Sequence, residues 1–289
     1  MNRIVGALRA ILPQRFRAGP VVPVVRLTGI IGVSTPFKPG LTISSCAKPL
    51  ERAFGTSGAK AVALLINSPG GSATQSHLIF KRIRALAAEK KLPVIAFIED
   101  AGASGGYMIA CAADEIVADE SSIVGSIGVV GGSFGFNRLI EKIGVERRLY
   151  TSGDHKAMLD PFLPERPDDV ERLKAIQREI HDFFIALVKG SRGARLTGPE
   201  SDLFSGEYWT GTRALALGLI DRIGDLRTVL RERFGEKVAT PLIAEGRILF
   251  GRRTPGIDAG LGALLDRPSL ADDFISALEA RAIWARYGL

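Results

Sequence analysis

Cysteine is nearly absent from this chain, with only Cys46 and Cys111 in 289 residues. Two such thiols build no disulfide framework and have no metal-ligand spacing, so no metal is called for and a reducing compartment suits the chain. Histidine is as scarce, at three residues, His77, His155 and His181. No run of eighteen apolar residues occurs, so a membrane-spanning helix is not expected. Basic and aromatic residues do not interleave, and nucleic acid is not an expected partner. The first fifty residues contain no acid at all, and their seven basic side chains account for the whole net charge of +7. The other 239 residues balance, with thirty-one charges of each sign.

What is present divides into three stretches. Residues 1–20 form a basic start, "MNRIVGALRAILPQRFR" and a short continuation. At helical spacing Ile4, Leu8, Ile11 and Leu12 share a face that excludes Arg3 and Arg9, and Pro13 ends the helix. Such a helix either docks on the body or makes weak peripheral contact with an anionic membrane from the cytoplasmic side. Residues 21–235 form the main domain, and 236–289 a C-terminal extension whose last segment, from Ser269 on, reads as a helix.

Within the main domain "VVPVVRLTGIIG" predicts an early strand with Pro23 at its start or edge. "AVALLIN" and "LPVIAFIED" are continuous apolar runs that suit buried parallel strands. Helical patterns follow each of them, and "DEIVADE" adds a short strand. The longest helix is "RPDDVERLKAIQREIHDFFIALVKGSRG", and "WTGTRALALGLIDRIGD" gives a helix, a glycine stop and a strand. Strands alternating with helices predict an α/β fold with a parallel sheet.

Chemistry in such a sheet gathers at the carboxyl ends of the strands. Two ends stand out. "NSPGG", Asn67 to Gly71, is a turn whose glycines leave backbone N–H groups uncovered. "EDAGASGG" places Ser104 after a strand and at the start of a helix, where it is either an ordinary N-cap or a nucleophile. A serine nucleophile needs a base. The loop "LYTSGDHKAMLDPF", read as following a strand, offers His155 and Lys156, and its apolar end could provide the burial that lowers a lysine pKa. Ser126, between glycines in "SSIVGSIGVVGG", is a further hydroxyl in apolar surroundings.

Taken together, "LLINSPGGSATQSHLI", "IEDAGASGGYMIACAADEIVADESSIVGSIGV", "YTSGDHKAMLDPF" and "FSGEYWTGTRALALGLID" resemble the bacterial signal peptide peptidases of the SppA and SohB type, over roughly residues 21–230. The resemblance implies a ClpP/crotonase-like fold of repeated β-β-α and βαβ units and a serine–lysine dyad without cofactor. Ser104 matches its nucleophile, Lys156 its general base, Gly71 and Gly105 its oxyanion donors, and Ser126 the hydroxyl that orients the lysine. It also implies peptide substrates with small and apolar side chains, such as signal-peptide remnants. The short form of the family builds its site from one copy and assembles as a homo-oligomeric ring or bowl. The competing readings are a crotonase-like acyl-CoA hydratase or isomerase, a non-catalytic peptide-binding scaffold at membranes, and a triad that uses His155.

Overall fold

The computed structural model describes residues 19–33, 40–243 and 281–288. Residues 1–18 of the basic start, and the part of the C-terminal extension from 244 to 280, lie outside the described residues. Five strands run side by side in the order β1 (Val24–Thr28), β2 (Val62–Ser68), β3 (Val94–Ala103), β4 (Glu115–Ala118) and β7 (Arg222–Ile223), all parallel. β5 (Ile123–Gly125) pairs with the far end of β3, and β6 (Tyr208–Thr210) pairs antiparallel with β5. The parallel α/β architecture read from the alternating runs is therefore present.

The core explains the apolar runs. β2 and β3 are central strands with both faces covered, and Val62, Ala63, Leu64, Ile66, Val94 and Ala96 are wholly buried. One face carries α1 (Ile43–Phe54), α2 (Ala73–Lys90), α3 (Gly105–Ala110) and the long α5 (Pro167–Arg192). The other carries α8 (Leu226–Phe234), through Val229 and Leu230. Pro23 precedes β1, the outer strand of the five, as its missing N–H requires. α1 holds Pro49 in its interior, which withholds the N–H that Ser45 C=O would accept in an unbroken helix. Its N-cap is strong, however: Thr42 accepts from Ser45 N–H, and the Ser45 hydroxyl accepts from Thr42 N–H at 3.0 Å.

One internal ion pair ties the end of α5 to the sheet. Arg192, 2% exposed, donates to both oxygens of Asp221 at 2.8 and 2.9 Å and to Gly218 C=O at 2.9 Å. Asp221 also accepts from Ile116 N–H at 2.8 Å, so β4 and the segment entering β7 (after the short α6, Glu200–Leu203, and α7, Gly211–Ala216) share one carboxylate. Burial alone would raise the Asp221 carboxyl. The Arg192 and Ile116 hydrogen bonds and the two nearby guanidinium charges outweigh it and hold the group below the usual carboxylate range.

Residues 129–165 are built differently. They hold one short helix, α4 (Asn137–Lys142), and the residues that lead into the lysine loop, expected as a strand, have no regular structure from 145 on. Among the described residues, every hydrogen bond and ion pair of this arm closes within the arm, including Phe136 N–H to Pro161 C=O at 2.6 Å and Arg147 to Asp160 at 3.0 Å.

Candidate active site

β3 does not stop where the sequence suggests. It runs on to Ala103 by exchanging partners. Ile95 to Ile98 pair with β4, and Ala101 to Ala103 pair with β5. On its other side the register against β2 shifts between Ile66 and Ser68, where Asn67 Oδ1 accepts from Ala101 N–H at 3.3 Å. The strand then turns sharply into α3, and Ser104 sits at the turn.

The backbone of Ser104 is held at φ 51° and ψ −121°. A positive φ at a residue with a Cβ costs about 1–3 kcal/mol and persists only where the surroundings impose it. Here Ser104 N–H donates to Gly125 C=O at 2.8 Å, and Met108 N–H returns to Ser104 C=O at 3.0 Å. Ser104 occupies the N-cap position of α3, yet its side chain makes no cap hydrogen bond. The ordinary N-cap reading therefore fails on geometry. Among the described residues the half-buried hydroxyl has no partner, so it is available for chemistry.

The glycines around it have contact reasons. A Cβ on Gly105 would meet Ser76 Oγ at 2.3 Å, and one on Gly106 would meet Ser68 C=O at 2.5 Å. Only glycine lets α3 start this close to the "NSPGG" turn and to α2. Gly70, at φ +101°, has no room either: its Cβ would lie 2.8 Å from Ser104 Cβ and 2.9 Å from Gly105 N. The turn is thus pressed directly on the serine. Gly70 N–H is spent on Ser68 Oγ at 3.2 Å. The N–H groups of Gly71 and Gly105 have no hydrogen-bond partner among the described residues, the second because it opens a helix. Two unspent donors beside one unspent hydroxyl make an arrangement suited to stabilising an oxyanion.

Ser126 follows β5 directly, at φ 53°. Its N–H donates to Glu207 C=O at 2.6 Å, and its hydroxyl lies 3.3 Å from the Tyr287 phenol. Gly125 and Ser126 therefore flank Ser104 on the side opposite Pro69 and Gly70. Ser104, Gly71, Gly105 and Ser126 come together at the carboxyl end of the sheet.

Lys156 is not joined to them within one chain. It lies on the arm, exposed, and its amine has no hydrogen bond or ion pair among the described residues. The apolar cover expected from "AMLDPF" is partial, because Phe162 is itself exposed. His155 is equally exposed. His77 packs edge-on against Phe183 at 4.6 Å, and burial with the Lys81 charge lowers its pKa. His181 Nε2 lies 3.0 Å from Ile127 C=O, where it braces the loop after Ser126. Tyr208 and Tyr287 carry no signal in the sequence, since one aromatic in a short strand and one far downstream make no motif.

A family model for peptidase family S49 matches residues 86–240. The chain belongs to that family. Over 98% of its length it is 53% identical to the Na(+)/H(+) antiporter NhaA of Brucella abortus, a match that covers 39% of that protein. It is 32% identical to the chloroplastic serine protease SPPA of Arabidopsis thaliana, over 74% of this chain and 33% of that one. A Synechocystis sp. protein named as a protease is 31% identical over 73% of this chain and 77% of its own length. The chain thus spans about two fifths of the length of the Brucella relative, and the transport activity in that relative's name is not carried over. The S49 match, in contrast, spans β4, β5, Ser104, Ser126 and Lys156. No helix among the described residues is long and apolar enough to cross a membrane.

Proposed function

We propose that this S49 chain is a serine endopeptidase of the signal-peptide-peptidase type, acting on small and apolar peptide segments through a ClpP/crotonase-like fold. The observation that carries the reading is the Ser104 turn: a strained, non-capping serine beside two uncommitted backbone donors. Ser104 Oγ attacks the scissile carbonyl while Lys156 takes its proton. The carbonyl oxygen becomes an oxyanion held by Gly71 and Gly105 N–H, each such donor contributing about 3 kcal/mol to the barrier reduction. Lys156 returns the proton to the leaving amine, and water releases the acyl group from Ser104. Ser126 orients the lysine.

The arm supplies the reason for assembly. Phe134, Ile143 and Tyr150 are 78%, 65% and 90% exposed, and Val130, Leu139 and Val145 are exposed with them. An apolar surface of this density on a self-contained arm needs a partner surface. A general-base lysine needs burial to be neutral. Packing of a second copy of the chain against the arm meets both needs, and we propose, in place of the site within one copy that the resemblance implies, a closed homo-oligomer in which the Lys156 of one copy serves the Ser104 of another. The basic start, residues 1–20, would add weak salt-sensitive contact with anionic lipid.

A serine-directed phosphonate with mass mapping of the adduct tests the nucleophile. Ser104 should carry the label, and labelling that persists in Ser104→Ala refutes the assignment. Mixing Ser104→Ala with Lys156→Ala protein tests the shared site: activity should return in the mixture, and a dead mixture that still co-assembles rules the sharing out.

A further inference from the structure

Among the described residues, Lys91, Ser104, Ser126 and Leu159 have a positive φ without being glycine. Two of them are the site serines, and both are tied to the ribbon of β5 and β6. Ser104 N–H donates to Gly125 C=O at 2.8 Å, and Ser126 N–H donates to Glu207 C=O at 2.6 Å. Gly125 itself stands at φ +107°. A glycine enters that conformation at little cost and leaves it as readily, because it has no side chain to hold it. The restraint comes from β6. A Cβ on Gly125 would lie 2.8 Å from two carbons of the Trp209 ring and 3.2 Å from Glu207 C=O, so the ring rests on the glycine backbone. Trp209 is half-buried and packs against the core, while its neighbours Tyr208 and Thr210 are exposed. The strand is seated firmly at its far end. A Cβ on Gly211 would meet Asp119 C=O at 1.9 Å, and Thr212 N–H donates to Glu120 C=O at 3.2 Å.

We propose that Trp209 is a positioning residue for the nucleophile: its ring fixes Gly125, and the Gly125 carbonyl fixes the Ser104 turn. The inference rests on the peptidase reading of the site. The linkage is short, running from indole ring to glycine backbone to one hydrogen bond. The strained φ of Ser104 persists only where its surroundings impose it, and the Gly125 carbonyl is one of the two groups that do so. Loss of the ring frees Gly125 to rotate. Its carbonyl then leaves Ser104 N–H, and the hydroxyl drifts from the Gly71 and Gly105 donors. Ser126 follows Gly125 in the chain, so the same slack reaches the hydroxyl assigned to orient Lys156. Trp209 meets no reacting atom in this scheme and acts only through the glycine.

The test reads both the rate constant and the end point of phosphonate labelling at Ser104 in the full chain. Trp209→Leu keeps apolar bulk against the core and takes the ring off Gly125. Gly125→Ala probes the same contact from the other side. Each should label to completion with a rate constant about 100-fold lower, and kcat for a short apolar peptide should fall in parallel with KM unchanged. A merely structural role has a different signature, a lower end point at an unchanged rate constant, because only the folded fraction then falls. The double variant, Gly125→Ala with Trp209→Leu, gives the added methyl group the space that the ring vacates. It should label about 10-fold faster than Gly125→Ala alone. Recovery stays partial because alanine resists φ +107°. An unchanged rate constant in either single variant, or a double variant no faster than Gly125→Ala, overturns the assignment. If Trp209→Leu does not fold, Trp209→Phe replaces it in both comparisons, with a smaller ring that fills the core and reaches less far over Gly125, and the same outcomes decide. If Ser104 is labelled in neither the parent chain nor any variant, the peptidase reading itself fails. A parent chain that labels no faster than its variants leaves that reading standing and loses the role of Trp209 alone.

Discussion

The sheet body and the arm of residues 129–165 are neighbours in one chain with opposite physical character. In the body the apolar side chains of β2 and β3 are sealed, and even the buried charge of Arg192 is met by both oxygens of Asp221. In the arm Phe134, Ile143 and Tyr150 stand in solvent, and hydrogen bonds close only locally. The proposed nucleophile and oxyanion donors belong to the first region and the proposed base to the second. A site divided this way has a rigid half complete in one chain and a half whose surroundings another surface must supply. The comparison therefore predicts that substitutions in the arm act on catalysis and assembly and leave the fold of the single chain intact, and that substitutions in the body away from the Ser104 turn act on folding.

The sharpest break would come at the base. Lys156→Ala should lower turnover of a short apolar peptide by about 10⁴-fold or more, as loss of one member of a catalytic unit does, with the melting temperature unchanged because the side chain has no partner in the body. His155→Ala, one residue away, should keep most of the activity. Steady-state kinetics with thermal melts on the two variants decides the matter, and the reverse pattern would assign the base to His155.

Next in size is the body's own charge pair. Asp221→Ala leaves Arg192 buried and unmatched and should cost about 3–5 kcal/mol in urea unfolding. The pH dependence has a definite sign. The folded carboxyl is held below its unfolded value, so its stabilisation is fully present above about pH 4 and fades as the pH falls through the folded pKa. Asp221→Asn should flatten that acid limb. An acid limb unchanged by the substitution would mean that the pair does not govern it.

Much of the body is legible in the sequence because its local signals agree with its burial. "AVALLIN" and "LPVIAFIED" became central strands, and Pro167 and Gly218 bound their helices as proline and glycine should. α1 was not legible, since Pro49 disguises a helix that Thr42 and the core hold in place. The last three residues of β3 were hidden too, because strand exchange from β4 to β5 is a tertiary event with no sequence period. At the site, Ser104 and the glycines could be found as types in a pattern, but the reason for Gly105 and Gly106 is contact with Ser76 and Ser68, which lie far away in sequence. The arm was least legible. Its lysine loop reads as following a strand, an element that would need a partner the single chain does not offer. Tyr287 had no signal at all, because its meaning lies entirely in where the chain returns.

A smaller effect is expected where the body meets the chemistry. Gly70→Ala adds a methyl group 2.8 Å from Ser104 Cβ, at a φ of +101° that alanine resists. The serine and the Gly71 donor should shift by a fraction of an ångström, lowering kcat/KM by about 100-fold while the protein still folds. Phosphonate labelling should slow in parallel. A fall in activity with labelling unchanged would place the damage in substrate binding instead of the nucleophile.

The smallest test matches one hydroxyl in each region. Ser72 caps α2: its Oγ accepts from Gln75 N–H at 3.3 Å, and its own N–H donates to Ile31 C=O at 2.8 Å. Removing the cap leaves a first-turn N–H without its partner, so Ser72→Ala should cost about 1 kcal/mol. Ser152 is exposed on the arm, and its hydroxyl has no partner among the described residues. Ser152→Ala should change stability by less than about 0.5 kcal/mol. Urea unfolding at a concentration where the subunits are dissociated isolates the single chain, because association would otherwise add to the apparent stability. Repeating it at a concentration where they assemble tests the arm directly. The Ser72 effect should stay the same, since its contacts are internal to the body. Any cost of Ser152→Ala should appear only in the assembled protein, where the arm has a surface to meet. A Ser152 effect of equal size at both concentrations would mean that the arm is already packed in the single chain, and the division between the two regions would fail.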